Sequence, residues 1–239
     1  MGRAVRGTVL AQMALLAGVL TGCSEAADGD DAKASAGATK PATAEAAAEA
    51  MAQAPEGTVE SGGSVGAAGS ACELPVTFDT AEKWQPEAVE TEVPGGGSGS
   101  EEDQLAAELA EGLLHQGPFT AACEIDAKPA GNIGFLRVWT GEAGAKEGEA
   151  EALLKEFVAA EGNTSKAEYT AFTSDSDVSG AEVEYLYTSE VLEETKKERA
   201  FLAVTPDGPV VVHLGGFDTQ EHEEMLPAYE LARRTLRTT

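Results

Sequence analysis

His213 is the residue of this chain best suited to moving a proton. It interrupts an apolar run, Val210-Val211-Val212-His213-Leu214, and an imidazole titrates near neutral pH. Asp218 and Glu221 follow closely, and either carboxylate would make it an acid–base pair if the fold brought the two together. A packed or solvent-facing strand histidine is the plainer reading of the same residue. His115 and His222 stand at no metal-ligand spacing from another histidine or a cysteine, so no metal centre is expected. Asp175-x-Asp177-x-Ser179-Gly180 begins like a calcium loop, but the twelfth position, where a bidentate glutamate is needed, is Leu186. Turn chemistry explains the same residues, with weak calcium binding as the alternative. Gly62-Gly63-Ser64-Val65-Gly66 matches the hydrolase elbow in letters. That motif works on a sharp strand-to-helix turn, and no strand is expected before it, so it reads as chance. No phosphate loop and no flavin or nicotinamide fingerprint occurs in 71–239, and no cofactor is expected.

The three cysteines divide into two jobs. Arg3 and Arg6 precede an apolar run over 9–20, and Leu20-Thr21-Gly22-Cys23 follows it. Basic start, short apolar stretch and small-residue cleavage region are the parts of a secretory signal. The tetrapeptide resembles the lipobox of bacterial lipoproteins. That resemblance implies cleavage before Cys23 and a diacylglycerol on its sulfur, whose two acyl chains suffice for stable membrane attachment. The run is too short to span a bilayer, which takes roughly 20 residues. Residues 1–22 are thus expected to be a signal peptide, with the mature protein anchored to the outer face of the cytoplasmic membrane. Cys72 and Cys123 remain, an even pair in an exported domain, and are expected to form a disulfide. A reactive thiol is the competing reading, but no histidine or lysine lies near either cysteine in sequence.

After Cys23, residues 24–70 hold no Trp, Phe, Tyr, Leu or Ile. Such a stretch buries too little apolar surface to offset the entropy of ordering, so 23–70 is expected to be a disordered tether. A flexible chain of that length has an end-to-end distance of roughly 35–40 Å. Residues 71–239 then make a single domain. The chain carries a formal net charge of −26, which argues against nucleic acid and against docking flat on anionic lipid.

The elements that must position these side chains follow from periodicity. A short strand is expected at 74–78, with Trp84 after it, and a Gly/Ser loop at 95–100. Leu105, Leu109 and Leu113 mark a helix over 102–115, ended by Gly117-Pro118. Strands follow at 119–125 and 133–139. A second helix covers 147–161, with Leu153, Leu154, Phe157 and Val158 on one stripe. Four strands come next, at 167–173, 181–188, 199–205 and 210–215, joined by the turn residues 175–180 and Pro206-Asp207-Gly208. Asp218 caps a last helix from 219, Glu221 stands at the capping-box position, and Pro227 should kink or restart it. Tyr185 and Tyr187 share a strand face. Clustered strands with helices between and after them mean an α+β fold, an antiparallel-rich sheet flanked by helices.

A lipobox, a low-complexity tether, an opening strand near Trp84 and a closing strand meander with the helix around Met225-Leu226-Pro227-Ala228-Tyr229 together resemble the actinobacterial lipoproteins with a Mog1/PsbP-like domain. The resemblance implies an α-β-α sandwich and a binding or accessory role. It supplies no site residues. The functional expectation is therefore a lipid-anchored, non-enzymatic module that binds a protein or a hydrophobic ligand at the membrane–wall interface. Two other readings stand beside it: a carrier of a hydrophobic small molecule, and a secreted hydrolase whose site is assembled in space around His213.

Overall fold

In a computed structural model the described residues are 59–90, 105 and 112–239. The expected signal peptide, Cys23, the tether as far as residue 58 and the Gly/Ser loop at 95–100 lie outside them. So does most of the expected helix over 102–115. Of that helix, residues 112–114 are helical, Leu105 and Leu113 are exposed, and His115 already belongs to a strand.

The strands are β1 (Ser61–Val65), β2 (Val76–Ala81), β3 (Gln85–Ala88), β4 (His115–Gln116), β5 (Phe119–Asp126), β6 (Gly134–Gly141), β7 (Thr164–Thr173), β8 (Ser179–Ser189), β9 (Glu194–Thr205), β10 (Gly208–Gly216) and β11 (Arg237–Thr238). Helix α1 (Ala150–Glu161) follows β6, and α2 (Thr219–Arg234) follows β10. Among the described residues the large sheet runs β3-β5-β6-β10-β9-β8-β7, with β4 beside β5, and a small sheet runs β1-β2-β11. All the ladders of both sheets are antiparallel.

β10 is the middle of the large sheet. Every one of its residues is buried, and its near-continuous apolar run is what a strand covered on both faces requires. On one face α1 packs Leu154, Phe157 and Val158 against Trp139, Val183, Ala200 and Val211. On the other, α2 and β2 pack Met225, Tyr229 and Phe78 against Leu136, Phe201 and Val212. The expected α-β-α layering is present.

A register shift between Ala121 and Cys123 makes β5 serve both faces. Phe119 and Ala121 lie on the α1 side, while Cys123 and Ile125 lie on the α2 side. One extra residue flips every later side chain. Cys123 thereby meets Cys72, and the two form a disulfide with Cα atoms 5.8 Å apart across a separation of 51 residues.

The fold begins earlier than residue 71. Residues 61–65, expected as tether, form β1 and pair with β2, and Val65 is wholly buried. Gly66 has φ +105° and packs directly on the Val76 carbonyl, leaving no room for a Cβ. A segment almost without large apolar residues is ordered here by ladder hydrogen bonds and by a backbone shape that glycine adopts freely.

Candidate functional site

The C-terminal end of α1 covers a cluster of polar side chains set into an otherwise apolar layer. β8, β9 and β10 lie side by side, and their register brings Tyr185 opposite Glu198 and His213 opposite Ala200. Period-two alternation then turns Tyr185, Glu198 and His213 toward α1, whose last residue is Glu161. His213 Nε2 lies 2.6 Å from Glu198 Oε2 and 3.2 Å from Tyr185 Oη. Tyr185 donates to Glu161 Oε2 at 2.6 Å and stands 3.3 Å from Glu198 Oε2. The ammonium of Lys196 is 2.7 Å from Glu198 Oε1 and donates to the Gly216 carbonyl at 2.7 Å. The His213 ring stacks on Tyr185 and takes Phe157 edge-on.

Burial and charge set the protonation states. Burial works to raise the Glu198 carboxyl, but the charge and hydrogen bond of His213, joined by Lys196, prevail and hold it at about 2. Burial works to lower His213, and Glu198 overcomes this by charge and hydrogen bond, so the imidazole is raised above 6.5. Glu161 is pushed up to about 7, first by burial and further by the neighbouring Glu198 charge, against the pull of His213. Burial also drives the Tyr185 phenol well above 10. Charge and hydrogen bonding thus favour the ionised pair of Glu198 with His213, flanked by a phenol that burial keeps neutral and a carboxyl that burial makes a weaker acid.

Asp218 and Glu221, the expected partners of His213, do not converge on it. Asp218 accepts from the Glu221 backbone N–H at 2.8 Å as the cap of α2, and Glu221 Oε2 accepts from the Ile133 N–H at 2.9 Å. The capping-box position thus joins α2 to the loop before β6. Pro227 is accommodated within one unbroken helix. His222 is buried, both its ring nitrogens lack a hydrogen-bond partner among the described residues, and burial lowers it to about 4. His115 Nδ1 lies 3.1 Å from Thr120 Oγ1. Asp177 adopts φ +60° in the β7–β8 turn and Asp175 faces Arg234 at 3.8 Å, as turn chemistry expects. Ser64 of the hydrolase-like pentapeptide sits within β1 opposite Asp79 rather than on an elbow.

The opposite face of the sheet carries a second charged network. Arg199 donates to Glu184 at 2.6 Å and to Glu230 at 3.1 Å, and Arg233 donates to Glu182 at 2.9 Å and also to Glu230. Beside it, along α2, runs a groove of about 830 Å³, lined by Val59, Arg199, Leu226, Pro227, Glu230 and Arg233 among others. A smaller cleft of about 250 Å³ lies at the β8–β9 hairpin end, between Tyr187, Leu192, Lys196 and Phe217. Neither is lined by His213, Glu198, Tyr185 or Glu161.

The sequence profile of one protein family matches residues 41–236. The chain belongs to that family, described as an uncharacterised lipoprotein. No curated protein matches the chain. Among solved structures it is similar to the solution structure of cyanobacterial PsbP (CyanoP) from Synechocystis sp. PCC 6803, at 13% identity and a TM-score of 0.43, covering 74% of this chain and 98% of that one.

Glu161, Tyr185, Glu198 and Lys196 escape a motif search because they come from three elements. One signal would have found Glu198. β9 is expected from residue 199, and carrying the Leu202, Ala200 alternation back by two and then four residues places Glu198 and Lys196 on the face toward α1.

Proposed function

We propose that the mature chain begins at a lipidated Cys23, is held on the outer face of the cytoplasmic membrane, and acts there as a non-catalytic binding module. The carrying observation is the groove beside α2. It offers apolar side chains (Val59, Leu226, Pro227, Leu231) next to the paired guanidinium groups of Arg199 and Arg233, a mixture suited to an extended protein segment rather than to a purely hydrophobic ligand. The His213 cluster supports the same reading. His213, Glu198, Tyr185 and Glu161 are hydrogen-bonded to one another and line neither cleft, Lys196 alone of the cluster reaching the smaller one, so a substrate would have to break the network to reach them.

The test is site-specific photo-crosslinking in intact cells. A photoreactive residue in place of Leu226 should give a discrete adduct with one cell-envelope protein. The Arg233→Glu change should abolish it, and the purified partner should bind the wild-type chain saturably. The same adducts from a photoreactive residue at Glu156, on the exposed side of α1, would contradict groove-specific binding.

A further inference from the structure

The cluster under α1 has a second capability, independent of the groove. The ligand atoms of Glu161, Glu198 and His213 all lie within 4.8 Å of one another. Among the described residues this is the one group of three such side chains so gathered. It is not a patch of surface acids. Glu198 and His213 are buried and Glu161 is half-buried, each is delivered by a separate element, and one nitrogen donor stands among the oxygens. Glu161 has no lysine or arginine pairing with it among the described residues. Two carboxyl groups, a phenol and an imidazole are thus held together by the protons between them, and a dication can replace those protons.

The spacing says which dication. In a tetrahedral site with bonds of about 2.0–2.1 Å, neighbouring ligand atoms stand about 3.4 Å apart. Tyr185 Oη already lies 3.3 Å from Glu198 Oε2 and 3.2 Å from His213 Nε2. The 2.6 Å contacts of His213 with Glu198 and of Tyr185 with Glu161 would each have to open by roughly 0.8 Å to reach that spacing. A mixed nitrogen and carboxylate set suits zinc. Calcium takes six to eight oxygens, more than this cluster holds. Lys196 binds the other Glu198 oxygen, Oε1, and so keeps Oε2 turned inward as an outer-sphere partner does.

We propose that Glu161, Glu198 and His213 form a binding site for a divalent cation of the zinc class, with the Tyr185 oxygen on its fourth side. The test uses the full detergent-solubilised chain stripped of metal with EDTA. Calorimetric titration with zinc chloride should show one site, with Glu161→Gln binding at least tenfold more weakly while its circular dichroism is unchanged. Cobalt(II) should give the intense visible bands of a tetrahedral centre in the wild type and lose them in Glu161→Gln, and calcium should not displace it. Equal zinc affinity in wild type and Glu161→Gln would mean that surface carboxylates alone bind the ion and would overturn the proposal, as would a six-coordinate cobalt spectrum.

Discussion

His213 Nε2 lies 2.6 Å from Glu198 Oε2, beneath the last turn of α1. This contact joins two strands through a pair of opposite charges, and together with Tyr185, Glu161 and Lys196 it is set into an otherwise apolar layer. Removing one partner of such a pair leaves an uncompensated buried charge, which costs about 3–5 kcal/mol. The Glu198→Gln change is expected to fall in that range by urea unfolding at pH 6, where His213 is charged. A loss under about 1 kcal/mol would mean that the ion pair does not hold β9 to β10.

The same cluster makes stability depend on pH. Glu161 rises from 4.5 to about 7 on folding. Its contribution is therefore complete below pH 4.5 and is lost as pH rises through about 7. His213 is also raised, so its contribution is complete below 6.5 and is lost above its folded value. Glu198 is lowered to about 2, so its contribution holds above 4.5 and is lost as pH falls toward 2. The metal-free protein should be most stable between about pH 4.5 and 6.5. In EDTA, Glu161→Gln should lose less stability than wild type between pH 5 and pH 8, by up to about 3 kcal/mol. Parallel pH profiles for the two proteins would contradict the burial of Glu161 in this network.

Tyr185 sits between the carboxyls, its hydroxyl donating to Glu161 at 2.6 Å. Tyr185→Phe keeps the ring and removes the donor, leaving buried acceptors unsatisfied. The expected cost is about 1–3 kcal/mol in chemical denaturation. A neutral substitution would show that the hydroxyl is dispensable.

The disulfide ties the segment before β2 to the middle of β5 across 51 residues. Replacing both cysteines with alanine should cost about 4 kcal/mol by the loop-closure argument. Unfolding of the wild type with and without reductant gives an independent value, and agreement of the two losses is expected.

Gly66 and Gly63 both have positive φ, but a Cβ on Gly66 would strike the Val76 backbone, whereas one on Gly63 meets nothing within 4 Å. Each alanine incurs backbone strain of about 1–3 kcal/mol. Gly66→Ala should be clearly the worse of the two in thermal melts. The reverse order would place β1 outside the fold.

The framework of the domain was legible because periodicity is a local property. β5, β6, α1, β8, β10 and α2 stand close to where their apolar spacing puts them, and Asp218 caps α2 as its position implies. β1 was not legible, because Ser61-Gly-Gly-Ser64 has no apolar alternation and is held by its partner strand instead. The β5 bulge was hidden for the same reason: only pairing with β6 shows that Ala121 and Cys123 face opposite layers. The His213 partner was missed because sequence proximity favoured Asp218 and Glu221, whereas sheet register and the end of α1 bring in Glu198, Tyr185 and Glu161.

The intact mass of the protein extracted from its host's membranes tests membrane attachment through Cys23. The expected chain starts at Cys23, carries the added mass of a diacylglycerol, and is found in the membrane fraction but lost to the soluble fraction in Cys23→Ser. An unmodified chain, or a start at another residue, would contradict it.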